Sequence, residues 1–442
     1  MKANKISINE IVSYLPDELI NKIGQEVAVD YQVKYLYGKD VLYLLLYSHL
    51  NTKSLSLREC ELLSQSKVFQ VFVGKTSDYS VPHTTLADRL NSINVKFFEN
   101  IYLSFIDKLQ TLYTADQYKA RKIIRYDSTF VGLTSKLLKI GMQNGTKSTK
   151  DKPAKNYIKF TIGFNGLVPT DCKMYKKQPE VSDEISFAEI IEESSLSSKD
   201  IVVFDRGLKK RKTLKEFWES DIYFVTRAEK RIKYKEIEHI PFSKNNNRDT
   251  DRLIFKKDII VNLYDAKTRI YKEPYRLIIY TSKETGEEIK FLTNIFDLSA
   301  IDISEIYALR WDIEVFFKFL KQELNFKHFL SRNENGIQVN LYVTLIMSIM
   351  LMIYKKVNKM NGYKLPKIQF YYDLQTEITK IIVKLVAEIR IKWIICLILK
   401  VSDSSRLHLV PNPQSLIIHL FPLPLLIHKN LQHYYISNVE VQ

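Results

Sequence analysis

Apolar residues recur at helical spacing through the first 118 residues, and beyond them the pattern changes to short alternating or continuous runs. Residues 40–50 read as a compact apolar helix, 56–64 as a second helix with Ser56 as its cap, and 95–112 as a third. Between them, residues 80–90 carry Pro-His-Thr-Thr-Leu-Ala-Asp-Arg-Leu, followed by a break at Asn91 and Ser92. A short helix opened by Ser/Thr-rich residues after a loop fits a helix-turn-helix reader of DNA, and it fits a plain helical bundle equally well.

Residues 123–131 are β-like and carry Asp127 within Arg-Tyr-Asp-Ser-Thr. A carboxylate inside an apolar strand is costly unless it is paired or binds a metal. A lysine-rich loop follows at 145–156, either solvated or in contact with phosphate. Residues 157–164 alternate as a strand, and Asn165-Gly166 is a strong hairpin signal. The return strand, 167–175, contains Pro169, which places it at an edge or bulge. A helix at 183–193, capped by Ser182 or Asp183, leads to a short buried strand at 201–204. That strand ends in Asp205-Arg206-Gly207-Leu208, and Lys209, Lys210, Arg211 and Lys212 open the next helix. A further strand covers 222–226. Short strands with polar turns then predict a β-rich segment: 253–255, 259–264, 275–280 and 289–293.

Residues 303–326 read as one helix, with Ser304 as cap and Glu305 in the first turn. Wound at about 100° per residue from Tyr307, the helix brings Arg310, Glu314 and Lys321 to about −60°, −20° and −40°. Ile306, Leu309, Ile313, Phe316, Phe317, Leu320 and Leu324 form the adjoining apolar stripe, with Trp311 beside the polar row as packing. An ordinary surface helix would show such charges too. Mixed chemistry on one half-buried line distinguishes this row, because a carboxylate flanked by Arg and Lys suits a divalent cation beside phosphate oxygens.

The chain has 442 residues, enough for two or three domains, and 45% hydrophobic content fits a globular protein. Its 66 Lys+Arg against 50 Asp+Glu give a net charge of +16, which favours a polyanionic partner, nucleic acid before membrane. Cys60, Cys172 and Cys396 are too few and too scattered for a disulfide framework or a cysteine zinc site, and a reducing cytoplasm fits. His83, His239 and His328 show no metal spacing, and there is no Gly-rich phosphate loop. The N-terminus lacks an apolar signal core, and the apolar run at 341–354 is too short to span a bilayer, so it reads as a core helix. Residues 410–425 have no clean period, and the last 85 residues have no functional reading.

Two resemblances follow from these residues. The order strand, strand, strand, helix, strand, helix, strand resembles the ribonuclease H-like core, in which the first strand carries one acid and the fourth carries another at its end. Asp127 and Asp205 fall at those places. The spacing Tyr307-x2-Arg310-x3-Glu314-x6-Lys321 resembles the signature of the insertion-sequence-four type of bacterial DDE transposases. Over roughly residues 40–355 they imply an α/β (α+β) chain: a helical DNA-end-binding region (1–118) and a ribonuclease H-like core (119–228 and 297–356) interrupted by a β-rich insertion (229–296); residues 357–442 resemble nothing specific and read as a C-terminal helical region.

The resemblance implies Asp127, Asp205 and Glu314 as catalytic acids holding two Mg²⁺ ions, with Mn²⁺ able to substitute. Tyr307, Arg310 and Lys321 are then expected to hold DNA phosphates, and Lys209, Lys210 and Arg211 to contact DNA. The implied reaction is cut-and-paste transposition: nicking at the element's end, a hairpin intermediate, its opening, and joining to target DNA. The expected partners are double-stranded DNA, at terminal inverted repeats and target, and a second subunit in a paired-end homodimer. The expected location is the bacterial cytoplasm at the nucleoid, with no membrane. The family prefers Asp-x-Gly followed by Tyr or Phe after the second acid, whereas this chain has Leu208, with little expected effect on metal binding. An aromatic in the insertion often holds a flipped base in this family, and Phe291 and Tyr280 are the nearest guesses here. A non-catalytic DNA-binding relic and a nuclease without strand transfer are the competing readings.

Overall fold

The computed structural model describes residues 7–51, 55–75, 78–133, 141–143, 156–206, 208, 210–240, 249–264 and 270–402. By internal contacts the chain divides into two units, residues 1–105 with 323–442, and residues 106–322.

The first unit is helical. It contains α1 (Ile8–Ser13), α2 (Asp17–Glu26), α3 (Gly38–Asn51), α4 (Leu57–Ser64), α5 (Lys67–Phe72), α6 (His83–Ser92) and most of α7 (Val95–Leu112). Ser56 caps α4 as its sequence predicts, accepting from the Glu59 N–H at 3.2 Å. On α6, Arg89 turns inward and donates to Val29 O, Leu36 O and Asp30, so it is committed to the loop before α3. His83 pairs with Glu61 at 2.7 Å, in keeping with a structural role.

The second unit is built on a sheet. Its strands are β1 (Gln117–Tyr118), β2 (Arg121–Gly132), β3 (Met142–Gln143), β4 (Asn156–Phe164), β5 (Pro169–Tyr175), β6 (Ile201–Phe204), β7 (Tyr223–Arg227), β8 (Tyr234–His239), β9 (Leu253–Tyr264), β10 (Ile270–Ser282) and β11 (Glu288–Thr293). Helix α8 (Asp183–Glu193) precedes β6, and α9 (Arg211–Glu219) precedes β7. After β11 come α10 (Ala300–Ala308) and α11 (Trp311–Glu323), while α12 (Glu334–Val357) and α13 (Lys364–Ser402) belong to the helical unit.

Strands β5, β4, β2, β6 and β7 are hydrogen-bonded in that order. The first two pairings, β5 with β4 and β4 with β2, are antiparallel, whereas β6 and β7 run parallel to β2. That is the ribonuclease H-like order. The Asn165-Gly166 turn forms as expected, with Gly166 at φ +85° and Asn165 Oδ1 accepting from the Leu167 and Val168 N–H groups. Pro169 opens β5, where no ladder donor is needed.

The expected β-rich segment does not stand apart. It continues the same sheet in the order β7-β11-β10-β9-β8. The two short strands expected at 253–255 and 259–264 are one strand, β9, paired along its length with β10. One face of the sheet is covered by Phe187, Ile190, Leu214 and Phe217 of α8 and α9, packed with Leu208 from the second acid's loop. The other face carries Ile303 and Ile306 of α10. Phe164 of β4 stacks on Phe316 of α11 with centroids 5.1 Å apart.

Two expectations about helices change. The single helix over 303–326 is two helices, α10 and α11, interrupted at Leu309 and Arg310. The cap is Ser299, in a reciprocal box with Asp302, and Ser304 lies inside α10 with its hydroxyl bonded to Ile301 O. The apolar run at 341–354 lies within a 24-residue helix, α12, which is long and apolar enough to cross a membrane. Its most apolar window is 89% buried inside the protein, so α12 is the core helix of its unit.

Candidate active site

Backbone register alone brings the first two acids together. In the parallel pair β2–β6, Ile123 faces Ile201 and Arg125 faces Val203. Continued for two residues beyond the paired ladder, the same register leads from Arg125 to Asp127 and from Val203 to Asp205. Asp127 is on the strand itself, and Asp205 is the first residue past β6.

The row on α10 and α11 meets them. Tyr307, in the last turn of α10, donates its hydroxyl to Asp205 Oδ1 at 3.0 Å. Arg310, at the break, donates to Glu314 Oε1 at 2.6 Å, and its other amino group lies 3.8 Å from Asp127 Oδ2. The guanidinium therefore stands between Asp127 and Glu314, and it also lies 5.8 Å from the Tyr307 ring centroid. Five of the nine expected site residues are thus in one cluster.

The electrostatics are those of a partly buried ionic cluster. Burial pushes the Asp127 carboxyl up to about 6, and the charges of Asp183 and Glu314 push in the same direction. The Ser128 N–H, 2.8 Å from Oδ1, and Arg310 oppose the shift without cancelling it. Burial likewise raises the Tyr307 hydroxyl, with Asp205 reinforcing it, so Tyr307 remains a donor. Arg310 is raised overall: its bond to Glu314 and nearby negative charge outweigh a desolvation that acts the other way.

The donor set suits a hard divalent cation, because it is oxygen-only and drawn from three elements. Asp127 stays raised despite Arg310 chiefly because it is buried, so a cation that compensated that burial would favour its ionised form. Among the described residues no three Asp, Glu, His or Cys side chains are already grouped to hold a metal. Arg310 occupies the position between two of the acids, and Asp127, Asp205 and Glu314 are the side chains that would hold a divalent cation here.

The remaining expected residues lie elsewhere. Lys321 is in the last turn of α11, roughly 10 Å along the axis from Glu314, and extends the row away from the acids. Lys210 is exposed, with its backbone N–H donating to Glu184. Arg211 is half-buried and donates to Tyr264 O at the end of β9, so it faces the sheet extension. Lys209 and the loop lysines Lys147, Lys150, Lys152 and Lys155 lie outside the described residues. Trp311, expected to pack, is 62% exposed. Phe291 and Tyr280 are buried, and Phe291 packs on Tyr307 with centroids 5.0 Å apart, so neither is available to receive a base.

Arg125 is the neighbour that the sequence reading missed. It precedes Asp127 by two residues and shares its face of β2, yet its side chain is fully buried. A charged residue at an inward position of an otherwise apolar strand was the available signal.

A ribonuclease H-like strand order, with one acid on β2, one just past the parallel neighbour β6 and one on the helix after the sheet extension, is the arrangement expected of a DDE-class enzyme. Residues 118–351, more than half of the chain, match the family described as "Transposase DDE domain", and the chain belongs to that family. A probable transposase for insertion sequence element IS5377 of Geobacillus stearothermophilus is 28% identical over 179 residues, covering 40% of this chain and 46% of that relative. A putative transposase for insertion sequence element IS4SA of Synechocystis is 26% identical over 246 residues, covering 52% and 59%. The chain spans about half the length of these curated relatives. The cryo-EM structure of a piggyBac transposase synaptic complex with hairpin DNA aligns over 86% of this chain and 82% of that one, at 11% identity and a TM-score of 0.47. That likeness is too distant to carry a conclusion about this site.

Proposed function

We propose that this chain is the transposase of an insertion sequence, cutting DNA at the element's ends and joining them to a target with Asp127, Asp205 and Glu314 as its catalytic acids. The observation that carries this reading is that Tyr307 and Arg310 contact all three acids, Tyr307 bonding Asp205 and Arg310 lying between Asp127 and Glu314. Divalent cations, Mg²⁺ with Mn²⁺ as substitute and two ions in the full site, supply an activated water and stabilise the leaving oxygen when bound. The chain's own residues do the rest. The three carboxylates would hold the cations, and Arg310, once released from Asp127 and Glu314, offers a two-pronged grip on a phosphate. Tyr307 orients Asp205 by its hydroxyl, and Lys321 takes a phosphate further along the strand. The net charge of +16 favours the DNA partner. A homodimer on paired ends, a hairpin intermediate and a location at the nucleoid complete the reading.

The test is a labelled duplex made from the DNA flanking the coding sequence, incubated with Mg²⁺ and either the wild type or Glu314→Gln. We expect cleavage by the wild type and a loss of at least about 100-fold in the variant, the upper end of what loss of an outer-shell partner costs a metal site. End binding should be nearly unchanged. A fully active Glu314→Gln protein removes the assignment.

A further inference from the structure

Arg125 is a buried charge with an unusual set of partners. Its side chain has no exposed surface, although burying a guanidinium is expensive unless its donors are used. Nη2 donates to Asp116 Oδ2 at 2.6 Å and lies 3.7 Å from Asp312 Oδ2. Nε donates to the Leu309 carbonyl at 3.1 Å. Nη1 is buried without a hydrogen-bond partner.

Leu309 is where α10 stops. There the ladder tightens: Arg310 N–H bonds Tyr307 O, Asp312 N–H bonds Leu309 O, and Ile313 N–H bonds Arg310 O, each three residues back. The Leu309 carbonyl, which accepts from Asp312 N–H in this tightened turn, also accepts from Arg125. The other end of the fork is fixed as well. Asp116 is held by its backbone, its N–H on Asn165 O and its carbonyl on Ile123 N–H. The Asn165-Gly166 turn leaves room for the pair, since a Cβ at Gly166 would fall 2.0 Å from Asp116 Oδ2 and 2.9 Å from Arg125 Nη1.

We propose that Arg125 is a positioning residue for the carboxylate site: it pins the break between α10 and α11 to the strand that carries Asp127. Tyr307 lies just before that break, Arg310 within it and Glu314 one turn after it. One guanidinium two residues from Asp127 therefore sets the distance from the first acid to the third, and the angle at which Arg310 enters between them. Its catalytic side rests on the strand-cutting function proposed above. Its structural side, the pinned break, does not.

The test uses full-length Arg125→Met and Arg125→Lys, with Asp116→Asn as a milder change at a partly exposed partner. Single-turnover cleavage of the labelled flanking duplex gives a rate constant and an amplitude. Mere destabilisation lowers the amplitude, through the folded fraction, and leaves the rate constant of the surviving molecules alone. We expect Arg125→Met to lower the rate constant by between about tenfold and 100-fold, the scale of a misplacement of about 1 Å, with amplitude and end binding retained. Arg125→Lys should recover part of that rate, and Asp116→Asn should show a smaller loss in the same sense, which also serves if Arg125→Met does not fold. Hydrogen exchange provides a readout free of activity: amides across 305–316 should exchange faster in the variants, while those across 211–219 should not. Unchanged exchange at 305–316, or a loss confined to amplitude, overturns the proposal. A wild type that cuts nothing overturns the strand-cutting reading, and the exchange result still decides the role of Arg125 at the break.

Discussion

The hydroxyl of Tyr307 donates to Asp205 Oδ1 at 3.0 Å, linking the last turn of α10 to the residue just past β6. This bond occupies an oxygen that a cation would share. Tyr307→Phe removes the hydroxyl and leaves the ring on Phe291. Without divalent cation the variant should lose about 1 kcal/mol of stability, the usual net worth of a hydrogen bond to a partly exposed acceptor. Mn²⁺ affinity, measured by calorimetry, should hold or tighten. A clear weakening would make the hydroxyl part of the cation's support.

Arg310 is the internal counter-charge of Asp127 and Glu314. Arg310→Ala leaves those two carboxylates facing each other, with Asp127 already raised to about 6 by burial. The melting temperature should fall in cation-free buffer and rise on adding Mg²⁺ by more than it does in the wild type. Equal rises in the two proteins would show that Arg310 and the cation do not compete.

In the helical unit, His49 of α3 is fully buried between Leu324 O, 3.0 Å from Nδ1, and Thr344 of α12, 3.4 Å from Nε2. Burial lowers it to about 4, below an unfolded value near 6.5. The sign follows from proton counting. Between about pH 6.5 and 4 the unfolded chain binds the proton and the folded one does not, so stability falls as pH falls through that window. The full effect is on the order of 3 kcal/mol. Urea unfolding at pH 7 and pH 5 should show the loss in the wild type, and His49→Gln should flatten the difference.

Arg276 and Asp258 form a buried pair between β10 and β9, with Arg276 also donating to Leu298 O and Ile295 O just before α10. Arg276→Ala takes the guanidinium away from the buried Asp258 carboxylate and should cost about 3–5 kcal/mol by chemical denaturation. Replacing both partners with apolar residues of similar size should cost much less. If the double replacement costs as much as the single one, the pair is needed for more than charge neutralisation.

Much of the candidate site was legible along the chain because its signals are local. The alternation around Asp127, the short apolar run ending at Asp205, the Asn165-Gly166 turn and the row from Tyr307 to Lys321 all depend on neighbours a few residues away. The element types follow, and so does the order of the core strands, since three strands and then two helix–strand units admit few arrangements. Expectations changed where a competing group, near or far in the chain, made the better bond. Ser304 looked like a cap, but Ser299 with Asp302 had the better reciprocal bonds. Residues 303–326 had no Gly or Pro to stop them, and the interruption falls where Arg125, 184 positions away in sequence, takes the Leu309 carbonyl. The short strands of the insertion became a continuation of the core sheet because β11 found the open edge of β7.

The sequence by itself determined which residue types were present for the chemistry and on which element each would sit, since helical and strand periodicity are properties of neighbouring residues. Only the tertiary structure decided that the register of β2 on β6 leads to Asp127 and Asp205 together, and that Arg310 lies between Asp127 and Glu314. Register follows from matching the buried faces of strands far apart in the chain, and the helix interruption from a hydrogen bond across 184 positions, so each depends on which segments meet.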